Sequence, residues 1–187
     1  MKKLFQNPVF AVLLTVLLVI SSTLLSADRK LSRSCQRVVD GFYSGIRYDR
    51  VKHTAAAQCI RTLCGDAEQM VIIGDNYGID TAPLAADTAT LRQSVAYDNP
   101  DIAAVYAAYA PFLTKLMVLE NDLSHTGLSE RHSEQMKTIS QEISQCRAMV
   151  DSSGYNESVS TFLRKNSRFP TRQFAELFGI TYPAYFA

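Results

Sequence analysis

Residues 4–27 contain no charged side chain, and this limits what the start of the chain can become. The centre of the run, residues 9–20, is apolar except for Thr15, and Leu24 and Leu25 prolong it. A helix rises about 1.5 Å per residue, so roughly 20 such residues cross the ~30 Å hydrocarbon layer of a bilayer. A helix resting on a soluble core would show a polar face, and this segment has none. Lys2 and Lys3 ahead of the run and Ser26 and Ala27 at its end also fit a cleaved secretory signal. Against cleavage, Leu25 stands where a small residue is favoured. Arg33 and Ser34 precede Cys35, so no lipid-attachment motif is present. Both readings bring residues 4–27 to the lipid bilayer and divide the chain into 1–27, a transmembrane anchor or signal, and a domain of 28–187.

Which side of the membrane the domain faces is read from two opposing signals. Arg29, Lys30, Arg33 and Arg37 follow the run closely, and basic flanks favour the cytoplasm. The signal-like beginning and an even number of cysteines favour export. The balance falls on an extracytoplasmic domain of a single-pass protein of the cell membrane.

With 187 residues, the chain left after the first segment suffices for one core. A net charge of +1 creates no field for nucleic acid. Nine Tyr and nine Phe are spread along the chain rather than interleaved with Arg, unlike a base-stacking surface.

Beyond the anchor, apolar residues recur at helical spacing. Cys35, Val39, Phe42 and Ile46 form one stripe, closed by a turn at Gly45 and residues 47–50. A helix is expected over residues 53–76, with Cys59, Leu63, Ala67, Met70 and Ile73 on one face and Ala57, Ile60, Cys64 and Val71 beside them. Gly65 and Gly74 weaken its continuity. After a loop at 78–83, a short helix is expected over 84–96. Asn99 as a cap followed by Pro100 marks the next start. That helix carries the stripe Ile102, Val105, Tyr109, Phe112, Leu116 and Leu119, with a kink expected at Pro111. Ser129 is placed to cap a last long helix whose inner residues are Met136, Ile139, Ile143, Cys146, Val150, Val159 and Phe162. Gly154 is a weak point near its middle. A short terminal helix over 172–178 follows, with Gly179 as a left-handed cap. No segment alternates with period two. The expected fold class is all-α: an antiparallel helical bundle with an N-terminal transmembrane helix.

Residues that could carry chemistry do not assemble into a motif. His53, His125 and His132 lack metal-ligand spacing, and His125 and His132 fall in or beside a polar turn. No phosphate loop or nucleophile elbow occurs, and Glu130, Glu134 and Glu142 read as a solvated face. No catalytic residue, cofactor or metal is expected. Cys35, Cys59, Cys64 and Cys146 lie on or beside apolar stripes, either as buried thiols or as disulfides in an exported domain. Cys59 and Cys64 share one helix five residues apart, too far to bridge. Cys35 could reach Cys59 or Cys64, leaving the other for Cys146.

Six aromatics fall within residues 169–186, and such a cluster is expected to fold back on the helices. The order of residues here is informative. Tyr155 and Asn156, then Phe162, Phe169 and Pro170, Phe174, Leu177, Phe178 and Gly179, and finally Pro183, Tyr185, Phe186 and Ala187 resemble the closing signature of the LemA family. The family's charged early helix with its Trp has no counterpart between Val38 and Met70, so the resemblance is to a divergent member. It implies a membrane-anchored helical bundle of the bacterial cell envelope, with no catalytic residues to carry over. The expected role is a scaffold or interaction protein for an unidentified membrane or envelope protein. The alternative is a helical sensory or small-ligand domain outside the cytoplasm, for which Tyr106, Tyr109 and the Pro111 kink are the hints.

Overall fold

A computed structural model describes residues 8–48, 50–96 and 101–187. Among them the chain is helical, with α1 Pro8–Ser44, α2 Ala56–Asn76, α3 Ala82–Ser94, α4 Ile102–His125, α5 Glu130–Asp151, α6 Tyr155–Asn166 and α7 Thr171–Phe178. A minimal ribbon of β1 (Arg47–Tyr48) and β2 (Val51–Lys52) lies between α1 and α2. The sequence pattern did not announce this ribbon, because two residues per strand are too few to alternate.

The chain forms two compact units, one running up to Arg37 and including Thr161–Tyr182, the other comprising Val38–Ser160 and Pro183–Ala187. In the first, the apolar run is helical, and this helix is long and apolar enough to span a membrane. Its large side chains from Val12 to Ile20, and Leu25, are exposed. Ser22 and Thr23 both donate their hydroxyls to Val19 O, at 2.9 and 2.8 Å, so their polar groups are satisfied inside the helix. Further along, Leu31 and Cys35 are buried one turn apart. In the same unit Phe162 meets Tyr182 edge-to-face at 5.4 Å, and Tyr182 Oη donates to Asn166 O at 2.7 Å. Helix α7 ends at Gly179 with φ +64°, the left-handed cap its glycine implied. Phe169 and Leu177 do not join the folded-back tail: Phe169 is 81% exposed and Leu177 69%.

In the second unit, α2 to α5 pack through apolar stripes. Helix α2 runs antiparallel to α5, as three pairs show in register: Cys59 with Cys146, Gln69 with Gln135, and Tyr77 with His132. Helices α2 and α3 are joined by Glu68–Arg92 at 2.9 Å and by Arg61 Nη2 donating to Val95 O. Lys115 on α4 bridges to Asp87 and donates to Pro83 O on α3. All six expected stripe residues of α4 are buried, as are Met136, Ile139, Ile143, Cys146 and Val150 of α5. Each large aliphatic or aromatic side chain so enclosed contributes about 1.5–3 kcal/mol.

Two boundaries differ from the sequence expectation. Asp101, not Asn99, caps α4 by accepting from Ala104 N at 3.1 Å; Asn99 and Pro100 lie outside the described residues. Helix α4 continues through Pro111, which sits on the exposed side, where the carbonyl it leaves without a donor can be hydrated. The last long helix is two helices, α5 and α6, separated at Gly154 with φ +72°. Ser129 does cap α5, accepting from His132 N.

Candidate functional site

Two places in the second unit gather the polar and reactive side chains. The first is the α2–α5 seam. Residue 66 lies three positions after Leu63 and four before Met70, so helical geometry turns it inward despite its charge. Asp66 is accordingly 3% exposed. Burial is the main cause that raises its carboxyl to about pKa 6, reinforced by the nearby Glu142 carboxyl and a hydrogen bond to it. With both groups ionised, Asp66 Oδ2 would be buried without a donor. When protonated, Asp66 can donate to the Glu142 carboxyl. A carboxylate is not expected inside a core by residue type; the place of Asp66 between Leu63 and Met70 on the inner side of the helix is the signal that finds it. Glu142 is exposed, as expected, yet it also serves this pair.

One helical turn beyond Glu142, Cys146 lies beside Cys59 across the seam. Burial raises both thiols. Cys146 is pushed up to about 11, with Cys59, Asp66 and Glu142 adding to the effect of burial. Cys64 is fully buried and likewise raised to about 11 by burial, its charged neighbours being Arg92 and Glu68. The structure therefore brings Cys59 and Cys146 together, while Cys64 faces the α3 side and Cys35 belongs to the first unit. All four are buried free thiols.

The second place is a lock on residues 184–186. The Asn156 side chain donates through Nδ2 to Phe186 O at 3.0 Å and accepts from Phe186 N at 2.8 Å through Oδ1. Tyr155 Oη donates to Ala184 O at 2.9 Å. These bonds seat the Phe186 ring among Phe42, Tyr106 and Tyr109, with each ring centroid 5.3 Å away, and Phe42 meets Tyr155 at the same distance. Phe42 and Tyr155 are fully enclosed. Beside the lock lies a cavity of about 140 Å³ bordered by Asp151, Ser153, Asn156 and Glu157. The remaining residues of the sequence signature, Phe169, Pro170, Leu177, Phe178 and Gly179, lie in the first unit around α7.

His132 is not simply a solvated turn residue. Tyr77 Oη accepts from Ser129 N at 2.9 Å and lies 3.0 Å from His132 Nδ1, tying the end of α2 to the start of α5. His125 stays exposed, bonded to Asn121 O. Among the described residues, no group of three or more His, Cys, Asp or Glu could hold a metal ion. No family model matches the chain, and no curated protein or solved structure matches it.

Proposed function

We propose that this chain is a single-pass membrane protein of the bacterial cell envelope. In this reading residues 28–187 form an antiparallel helical bundle of the LemA kind, facing outside the cytoplasm. The domain acts as a scaffold or docking partner for another membrane or envelope protein and performs no catalysis. The observation that carries the reading is the exposed, uncharged helical run of α1, whose side chains from Val12 to Ile20 have no aqueous role. The LemA resemblance is supported by the way its distant elements meet: Tyr155 and Asn156 bind the backbone of Ala184 and Phe186 directly. The sensory alternative loses its main hint, because Tyr106 and Tyr109 are already packed against Phe186.

Membrane fractionation tests the anchor. The full chain is expected to stay in the bilayer pellet through alkaline extraction, with its first 27 residues found by N-terminal peptide mapping. Recovery in the aqueous fraction with those residues intact would overturn the reading. Crosslinking with mass spectrometry in native membranes tests the scaffold role, through a reproducible protein neighbour of residues 28–187.

A further inference from the structure

We propose that Cys59 and Cys146 form an interhelical disulfide that staples α2 to α5. The register of the antiparallel α2–α5 seam, fixed by Gln69 with Gln135 and Tyr77 with His132, sets Cys59 near the start of α2 beside Cys146 near the end of α5, and both side chains are almost fully enclosed, at 2% and 6% exposure. Cys64, five residues along the same helix, faces the opposite side and is left as a thiol.

The reaction is thiol–disulfide exchange with a small disulfide as oxidant. One cysteine, as thiolate, attacks a sulfur of the donor and expels one donor thiolate. The second cysteine, after losing its proton, attacks the mixed disulfide and expels the other. Two thiols and one donor disulfide become one protein disulfide and two donor thiols, with both electrons passing to the donor.

The surroundings mark the bond as structural rather than catalytic. Redox-active cysteines have lowered thiol pKa values and access to solvent. Here burial, aided at Cys146 by the Asp66 and Glu142 carboxyls, disfavours the thiolate. Oxidation therefore proceeds while the seam is open, during folding or fluctuation. Once formed, the bond has poor leaving groups and little exposure to attack. It closes the loop that contains α3 and α4, so it constrains much of the unfolded chain.

The test supplies the oxidant and does not depend on which side of the membrane the domain faces. Full-length protein in detergent micelles is refolded from urea with oxidised glutathione, alkylated and mapped by mass spectrometry. A peptide pair joined through Cys59 and Cys146, with Cys64 alkylated, is expected. Free alkylated Cys59 and Cys146, or their joining to other cysteines, would overturn the proposal. Thermal unfolding gives a second readout: a Tm about 5–15 °C higher oxidised than reduced, the gap disappearing in Cys146→Ala and persisting in Cys64→Ala. Equal gaps in both variants would also count against it.

Discussion

The side-chain amide of Asn156 pairs with both backbone groups of Phe186, donating at 3.0 Å and accepting at 2.8 Å. Asparagine can do this because it carries a donor and an acceptor on one rigid plane. Asn156→Ala removes both bonds and leaves a partly buried N–H without its acceptor. The expected loss is about 2 kcal/mol of unfolding free energy, read from urea denaturation in micelles. Asn156→Asp keeps the acceptor but turns a carboxylate oxygen on Phe186 O, so it should not recover the loss. A change under about 0.5 kcal/mol for the alanine variant would mean that the ring contacts alone hold Phe186.

Phe42 and Phe169 offer a matched contrast. Phe42 is 0% exposed and touches Tyr155 and Phe186, whereas Phe169 is 81% exposed. Phe42→Ala should destabilise by about 3–5 kcal/mol, because a cavity is left among rings that cannot close over it. Phe169→Ala should stay within about 0.5 kcal/mol. Similar losses for the two would contradict the enclosure of Phe42.

Asp66 makes stability depend on pH with an unusual sign. Its folded-state carboxyl is raised from 3.8 to about 6, so the folded protein holds more protons than the unfolded chain between those values. Stability contributed by this group is therefore full below about pH 4, falls as pH rises to about 6, and is level above that. Asp66→Asn cannot ionise and can still donate to Glu142. Urea midpoints between pH 4 and 7.5 should lose this slope in the variant, which gains on the order of 2 kcal/mol at neutral pH. A variant less stable than wild type at pH 7 would show that the carboxylate form is the favoured one.

Gly45 follows α1 with φ +83°, and a Cβ there would run into His53 O. Left-handed backbone costs a non-glycine residue about 1–2 kcal/mol before any clash is counted. Gly45→Ala should therefore lose at least about 2 kcal/mol, with faster amide exchange at His53, whose N–H bonds to Ile46 O. Unchanged exchange would place the strain elsewhere.

Leu17 lies in the middle of the exposed apolar run. Leu17→Arg places a charge at the bilayer centre, at a cost of about 2.5–3.5 kcal/mol on insertion scales. Partial release from the membrane pellet is the expected outcome, with the far-ultraviolet helical signal of the released protein preserved.

Much of the fold was legible because it rests on period alone. The α4 stripe from Ile102 to Leu119 and the α5 stripe from Met136 to Val150 are buried position by position as spacing required. Ser129 and Gly179 were legible as caps because their chemistry is local. Asp66 was not, since a carboxylate is ordinarily excluded from a core and only Glu142, 76 positions away, makes its burial tolerable. The capping of α4 by Asp101 rather than Asn99 turned on two residues that both make good caps. The pairing of Cys59 with Cys146 needed the α2–α5 register, which no local pattern encodes.

The rings around Phe42 and Phe186 come from segments distributed between residues 42 and 186, and apart from the pairs Phe42–Tyr43 and Tyr106–Tyr109 they lie far apart in the chain. No single hairpin can assemble them, so loop-closure entropy must be met several times before any ring finds its full set of contacts. This cluster should therefore consolidate on the late side of the folding barrier. Substitutions at Phe42 or Phe186 would then act mainly by quickening unfolding and leave the refolding rate nearly unchanged.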